Sequence, residues 1–236
     1  MSTPLQIAEL IPQKSNGSKI ASDGNNAETL LCSQENIRTA LSNYFGKPLA
    51  RIEKTPSIPH PKKSDNLLIF ADGSTVPIQN KDGEGKGRGH SYDRRRVDLV
   101  APTCPEMTET LRSFCLKDKT QKCHNVSKIV SLDIVTRCIL GIEDEFKPAF
   151  FTHTITSNGV ITEFSICPTA TLMSELTGNL YDHINYKKPK RTCVHLSPNI
   201  YLQEKGSKKK DSRATDIQMK IPFKANIAAL FTPLKL

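Results

Sequence analysis

The sequence predicts an α/β domain with a central mixed β-sheet flanked by helices. Turn chemistry at two places and periodicity at four carry this expectation. Asp72-Gly73 lies between the apolar runs Leu67–Phe70 and Val76–Ile78, and Ser157-Asn158-Gly159 lies between the β-rich runs Ala149–Thr156 and Val160–Cys167. Both are hairpin signals, because these residues tolerate the positive backbone angles of tight turns. Around them, apolar residues recur at helical spacing near 25–46, 103–117, 126–140 and 168–185.

At 236 residues the chain fits one domain and is long enough to bury a core. Its formal charge of +9 and pI near 9.2 point to a polyanionic partner, without separating DNA from RNA or a membrane surface. No apolar run reaches the roughly 18–20 residues of a membrane span, and the first residues lack a signal-peptide pattern. Seven irregularly spaced cysteines argue against a secreted disulfide scaffold and for a reducing, cytoplasmic setting.

Taken in order, residues 1–24 carry Pro4, Pro12 and Gly17 and read as an N-terminal arm. A helix is expected from Asn25 or Asn26 to Gly46, with Ala27, Leu30, Leu31, Ile37, Leu41, Tyr44 and Phe45 inward and Gly46 just past its end. Glu28 falls in its first turn, where Asn25-x-x-Glu28 forms a capping box. Four prolines make 47–62 a connection into the first hairpin, Lys63 to Lys81.

In that hairpin Gln79 and Lys81 share one strand face and Asn80 takes the other. If Asp65 enters the first strand opposite the end of the second, a carboxylate, an amide oxygen and an ammonium converge. Oxygen ligands from Asp65 and Gln79 suit a hard cation such as Mg²⁺, and Lys81 can orient a water for phosphodiester hydrolysis. The plainer reading is an exposed hairpin with polar ends.

Past Lys81, four glycines among basic residues (82–90) and then Arg94-Arg95-Arg96 match no nucleotide-binding spacing. They read as a flexible basic loop whose Lys86, Arg88, Arg94 and Arg95 contact phosphates, or as a solvated charged loop. Thr103-Cys104-Pro105-Glu106 is a capping box opening the helix to about Lys117, and the helix near 126–140 stops at Gly141. Cys104, Cys115, Cys123 and His124 lack the paired knuckles of a zinc site, and buried free thiols are the preferred reading. His153 reads as a structural strand residue. Pro168 opens a helix to about Asn185, with Ala170, Leu172, Met173, Leu176, Leu180, Tyr181 and Ile184 inward.

The last third holds two strand-like runs, Gln203-Glu204-Lys205-Gly206 ending one and Gln218-Met219-Lys220 within the other, joined by a loop with Lys208, Lys209 and Arg213. Gln pairs bidentately with adenine, and Lys or Arg with guanine, so such a ribbon can read a major groove. An exposed lysine-rich hairpin is the plainer alternative.

Ser64-Asp65, thirteen intervening residues and Gln79-Asn80-Lys81 resemble the catalytic motif of the PD-(D/E)XK nuclease superfamily. The chain is most similar to small type II restriction endonucleases that carry S-D…Q-x-K. Leu196-Ser197-Pro198, Gln203-x-Lys205-Gly206, Asp211 with Arg213, and Gln218-x-Lys220 resemble their C-terminal DNA-reading region, except that Lys208-Lys209-Lys210 stands where relatives tend to have a second Gly.

The resemblance implies a single PD-(D/E)XK-like domain with a catalytic part at 25–100, a helical and hairpin scaffold at 101–192 and a DNA-reading part at 193–236. It also implies Mg²⁺-dependent cleavage of double-stranded DNA at a short palindrome, giving 5′-phosphate ends, by a monomer or homodimer. Asp65 and Gln79 would hold the metal, Lys81 would position water, and Glu28 would face the site as a further carboxylate. A cognate methyltransferase would protect the host. The other readings are a repair or junction-resolving nuclease using the same residues, and a non-catalytic DNA- or RNA-binding protein.

Overall fold

The computed structural model describes residues 26–55, 64–83, 90–96, 132–141, 147–178, 180, 185–186, 193–205 and 216–236. The N-terminal arm, the helix near 103–117, the Cys104/Cys115/Cys123/His124 set, Lys86, Arg88, Lys208, Lys209 and Arg213 lie outside the described residues.

Two sheets form. The first is six-stranded and mixed. Its strands are β1 (Leu49–Lys54), β2 (Asn66–Phe70), β3 (Thr75–Asp82), β5 (Phe150–Ser157), β6 (Val160–Pro168) and β11 (Thr232–Leu234), in that spatial order. Only β3 and β5 run parallel; the other pairs are antiparallel. This is the expected central mixed sheet. The second, which sequence reading did not separate, is antiparallel in the order β4 (His90–Arg96), β10 (Asp216–Ile221), β9 (Ile200–Lys205), β8 (Cys193–Ser197) and β7 (Asn185–Tyr186).

Both hairpins close where the turn residues place them. Asn158 and Gly159 have φ of 51° and 75°, the pair of positive values a type I′ turn needs between β5 and β6. Between β2 and β3, the Asp72 carboxylate accepts the Ser74 N–H at 2.9 Å and fixes the bend.

The first helix departs from expectation. Residues 26–33 (α1) and Glu35–Phe45 (α2) are helical, but Gln34 between them is extended. Near the break, side chains bond backbone carbonyls. The Ser33 hydroxyl donates to the Leu30 carbonyl at 3.2 Å, and the Cys32 thiol donates to that of Glu28 at 3.4 Å. Such local bonds compete with helix continuity. Gly46 ends α2 at φ 66°, a left-handed position that a Cβ would strain.

α1 and α2 bury Leu31, Ile37 and Leu41 against Leu49, Ile52, Leu68, Phe70, Ile78 and Ile166 of the first sheet. Alternate strand residues serve the other face. There Phe151 and Cys167 pack with α3 (Leu132–Leu140), α4 (Thr169–Thr177), the short α5 (Ala225–Ala228), and Leu196, Ile200, Met219 and Ile221 of the second sheet. α4 is shorter than its pattern suggested. It ends at Thr177, Ala170 is exposed, and Asn185 is a strand residue of β7; Tyr181 and Ile184 are outside the described residues. Among the described residues, no helix is long and apolar enough to cross a membrane.

Candidate functional site

Asp65 sits immediately before β2 and is pinned by its backbone on both sides. Its N–H donates to the Ile78 carbonyl at 2.9 Å, and its carbonyl accepts the Thr55 N–H at 3.0 Å. The side chain is thereby directed along β3, where Oδ2 accepts the Asn80 backbone N–H at 2.9 Å. The same oxygen lies 3.6 Å from the Lys81 Nζ, and the two side chains are about one-fifth exposed. The carboxylate and the ammonium therefore meet where β2 begins beside the C-terminal half of β3, and Oδ1 takes part in neither contact.

Gln79, on the same face of β3 as Lys81 by strand alternation, is buried. Its Oε1 has no hydrogen-bond partner among the described residues. A buried carbonyl oxygen without a partner is costly. Such an oxygen is of the kind an oxygen-seeking cation would satisfy. The donor chemistry of Asp65 and Gln79 thus fits Mg²⁺.

Asn80 does more than space the motif. Its side chain enters a polar ladder between β3 and β5, whose register sets Asn80 opposite Thr152 and Asp82 opposite Thr154. The Thr152 hydroxyl donates to Asn80 Oδ1 at 2.9 Å, and Asn80 Nδ2 donates to Thr154 Oγ1 at 3.2 Å. The hydroxyls of Thr154 and Thr156 both donate to Asp82 Oδ1, at 3.0 and 2.9 Å. With each member satisfied by its neighbour, the ladder fixes the register that presents Gln79 and Lys81 on the opposite face. Sequence reading missed it, although Thr152-x-Thr154-x-Thr156 puts three hydroxyls on one strand face.

Glu28, on α1, reaches the same region. Burial raises its carboxyl above the ordinary range first, and the negative charge of Asp65 raises it further. Lys54 and Lys81 oppose that rise, so Asp65, Lys54 and Lys81 all act on Glu28 electrostatically. The cap partner Asn25 is outside the described residues. α1 is held by Asn66, next to Asp65, whose Nδ2 donates to the Glu28 carbonyl at 3.2 Å and to Cys32 Sγ at 3.3 Å. Lys54, at the end of β1, places its Nζ 3.3 Å from Glu28 Oε2. No linear signal marked Lys54, which lies eleven residues before Asp65.

The basic residues divide differently from expectation. Arg94 and Arg95 are not in a loop beside the hairpin; they belong to β4 of the second sheet. Gln218 of β10 pairs with Arg94 on one side and with Gln203 of β9 on the other. Asp216 pairs with Arg96 and Lys205, and Lys220 with Ser91 and Tyr201. Met219 and Ile221 are buried in the core, and Lys220 between them is half-buried. His153 is half-buried and stacks on Phe223 with centroids 4.3 Å apart, in keeping with a structural role.

No protein-family model matches the sequence. No curated protein matches it either. Among solved structures the chain is similar to the restriction endonuclease MspI in a crystal structure with its cognate DNA. The identity is 12%, the match covers 87% of this chain and 80% of that one, and the TM-score is 0.49.

Proposed function

We propose that the protein is a type II restriction endonuclease that hydrolyses double-stranded DNA at a short palindrome with Mg²⁺, leaving 5′-phosphate ends. The observation that carries this reading is the Asp65 carboxylate held by the Asn80 N–H, 3.6 Å from the Lys81 ammonium, with the Oε1 of Gln79, two residues before Lys81 on β3, buried and unpartnered among the described residues.

In the proposed mechanism Asp65 and Gln79 hold the cation, with Glu28 as a further carboxylate on the same side. When bound, the cation supplies Lewis-acid stabilisation of charge developing on the phosphate. Lys81 orients the attacking water and lowers the cost of losing its proton by placing a positive charge beside it. The Asn80 N–H keeps Asp65 in one rotamer, so little reorganisation is needed at the moment of reaction. Gln79 contributes no charge where related motifs carry an acid, which weakens any second cation on that side.

DNA recognition is assigned to the second sheet and its loops. Gln203, Lys205, Gln218 and Lys220 read base edges, helped by Lys208, Lys209 and Arg213. Arg94, paired with Gln218, joins that surface from β4, and Lys86, Arg88 and Arg95 contact phosphates. A host would then need a protecting methyltransferase.

Incubating plasmid with the protein and Mg²⁺ tests the reading. Discrete fragments are expected. A smear would point to a nonspecific nuclease, preferential cutting of branched DNA to a junction-resolving enzyme, and intact plasmid with salt-sensitive binding to a non-catalytic binder.

A further inference from the structure

Two carboxylates and two ammoniums meet at the candidate site, and their formal charges cancel. Lys81 lies 3.6 Å from Asp65. The second pair is Lys54 and Glu28, at 3.3 Å, and Lys54 Nζ is also 3.4 Å from the Thr29 hydroxyl. Lys54 is anchored close to the motif, since its backbone pairs with Asn66, the residue after Asp65. Its side chain is 38% exposed, so the lysine has room to turn away from the carboxylate it neutralises.

We propose that Lys54 is an internal counter-ion for Glu28 that competes with the divalent cation and hands the carboxylate over when a phosphate arrives. The proposal rests on the reading of Asp65, Gln79 and Glu28 as a cation site, and adds to it a residue and a coupling. With both carboxylates neutralised from within, the free protein holds a divalent cation weakly. A half-exposed lysine on a flexible stem can turn to a phosphate oxygen of a nucleic-acid backbone. Doing so leaves Glu28 to the cation. By linkage, phosphate then strengthens cation binding by the same factor that the cation strengthens phosphate binding. Lys54 is thus a positioning residue, and the class of ligand it senses is a phosphodiester backbone.

The test is binding of Mn²⁺, followed by electron paramagnetic resonance, to the free protein and to the protein saturated with a mixed-sequence duplex. Lys54→Met and Lys54→Gln are compared with wild type and with Lys54→Arg, and thermal melts check that each variant folds. Removing one positive charge a few ångströms from a divalent ion at a half-exposed site predicts Mn²⁺ binding to the free protein that is on the order of tenfold tighter. In both neutral variants the tightening caused by DNA should shrink by a similar factor, and Lys54→Arg should stay within about twofold of wild type, because it keeps the charge. Neutral variants that bind Mn²⁺ no tighter than wild type overturn the role of Lys54. Asp65→Asn separates this from failure of the site itself. If Asp65→Asn leaves Mn²⁺ binding unchanged, the cation is elsewhere and both readings fall. If Asp65→Asn abolishes binding while the Lys54 variants change nothing, only the counter-ion role falls.

Discussion

Replacing Gln79 with methionine tests whether the buried amide oxygen serves a ligand or the fold. Gln79 is only 5% exposed, and its Oε1 has no partner among the described residues. An unsatisfied buried acceptor costs about 1–3 kcal/mol. Methionine keeps the length of the side chain and removes that oxygen, and a volume-conserving change in a packed site costs less than about 1.5 kcal/mol. The balance is a net gain of about 1 kcal/mol, or a Tm higher by about 2–4 °C for a chain of this size.

The assay is thermal unfolding of wild type and Gln79→Met, first in chelator and then with Mg²⁺. Wild type should gain about 1.4 kcal/mol when the cation stands about tenfold above its Kd, whereas the variant should gain far less. A chelator Tm that falls by more than about 2 °C, or a Mg²⁺ response equal to that of wild type, would refute the reasoning.

The polar ladder and the half-buried histidine give two further outcomes. Asn80→Ala removes two side-chain hydrogen bonds in a buried setting. It should cost about 2–3 kcal/mol, seen as a Tm lower by about 4–12 °C, and an unchanged melt would show that the ladder does not hold β3 to β5. His153 has its pKa lowered from the ordinary 6.5, chiefly by burial, against the opposing pull of Asp82 and Glu163. The neutral ring is therefore the favoured form in the fold. Its contribution is fully present above about 6.5 and is lost as pH falls through the lower folded value. Wild type should lose Tm between pH 7.5 and 5.5 by more than His153→Phe does, and equal losses would remove His153 as a cause.

What was legible in the sequence was local. Asp72-Gly73 and Asn158-Gly159 carry their turn geometry in their own backbone preferences, and Gly46 stops α2 for the same reason. The thirteen residues between Asp65 and Gln79 cover β2, a tight turn and the start of β3, so the meeting of Asp65 with the Asn80 N–H and Lys81 follows from the hairpin. What was not legible depended on distant partners. His90-Ser91-Tyr92-Asp93-Arg94-Arg95-Arg96 has no apolar alternation, and it is a strand because β10 pairs with it. Lys54 comes near Asp65 only through the pairing of β1 with β2. The break at Gln34 is different: it sits beside local side-chain bonds to the backbone, from Ser33 and Cys32, that apolar periodicity does not encode.

The measurement that bears most directly on the account is plasmid cleavage by Lys81→Ala in Mg²⁺, with DNA affinity measured on the same preparation. Lys81 lies 3.6 Å from the Asp65 carboxylate and on the first sheet, whereas Gln203, Lys205, Gln218 and Lys220, assigned to DNA reading, lie on strands of the second. Cleavage should fall by at least about a hundredfold, as expected for loss of a water-orienting group, with duplex binding changed by less than about threefold. Cleavage by Lys81→Ala at the wild-type rate would contradict that role.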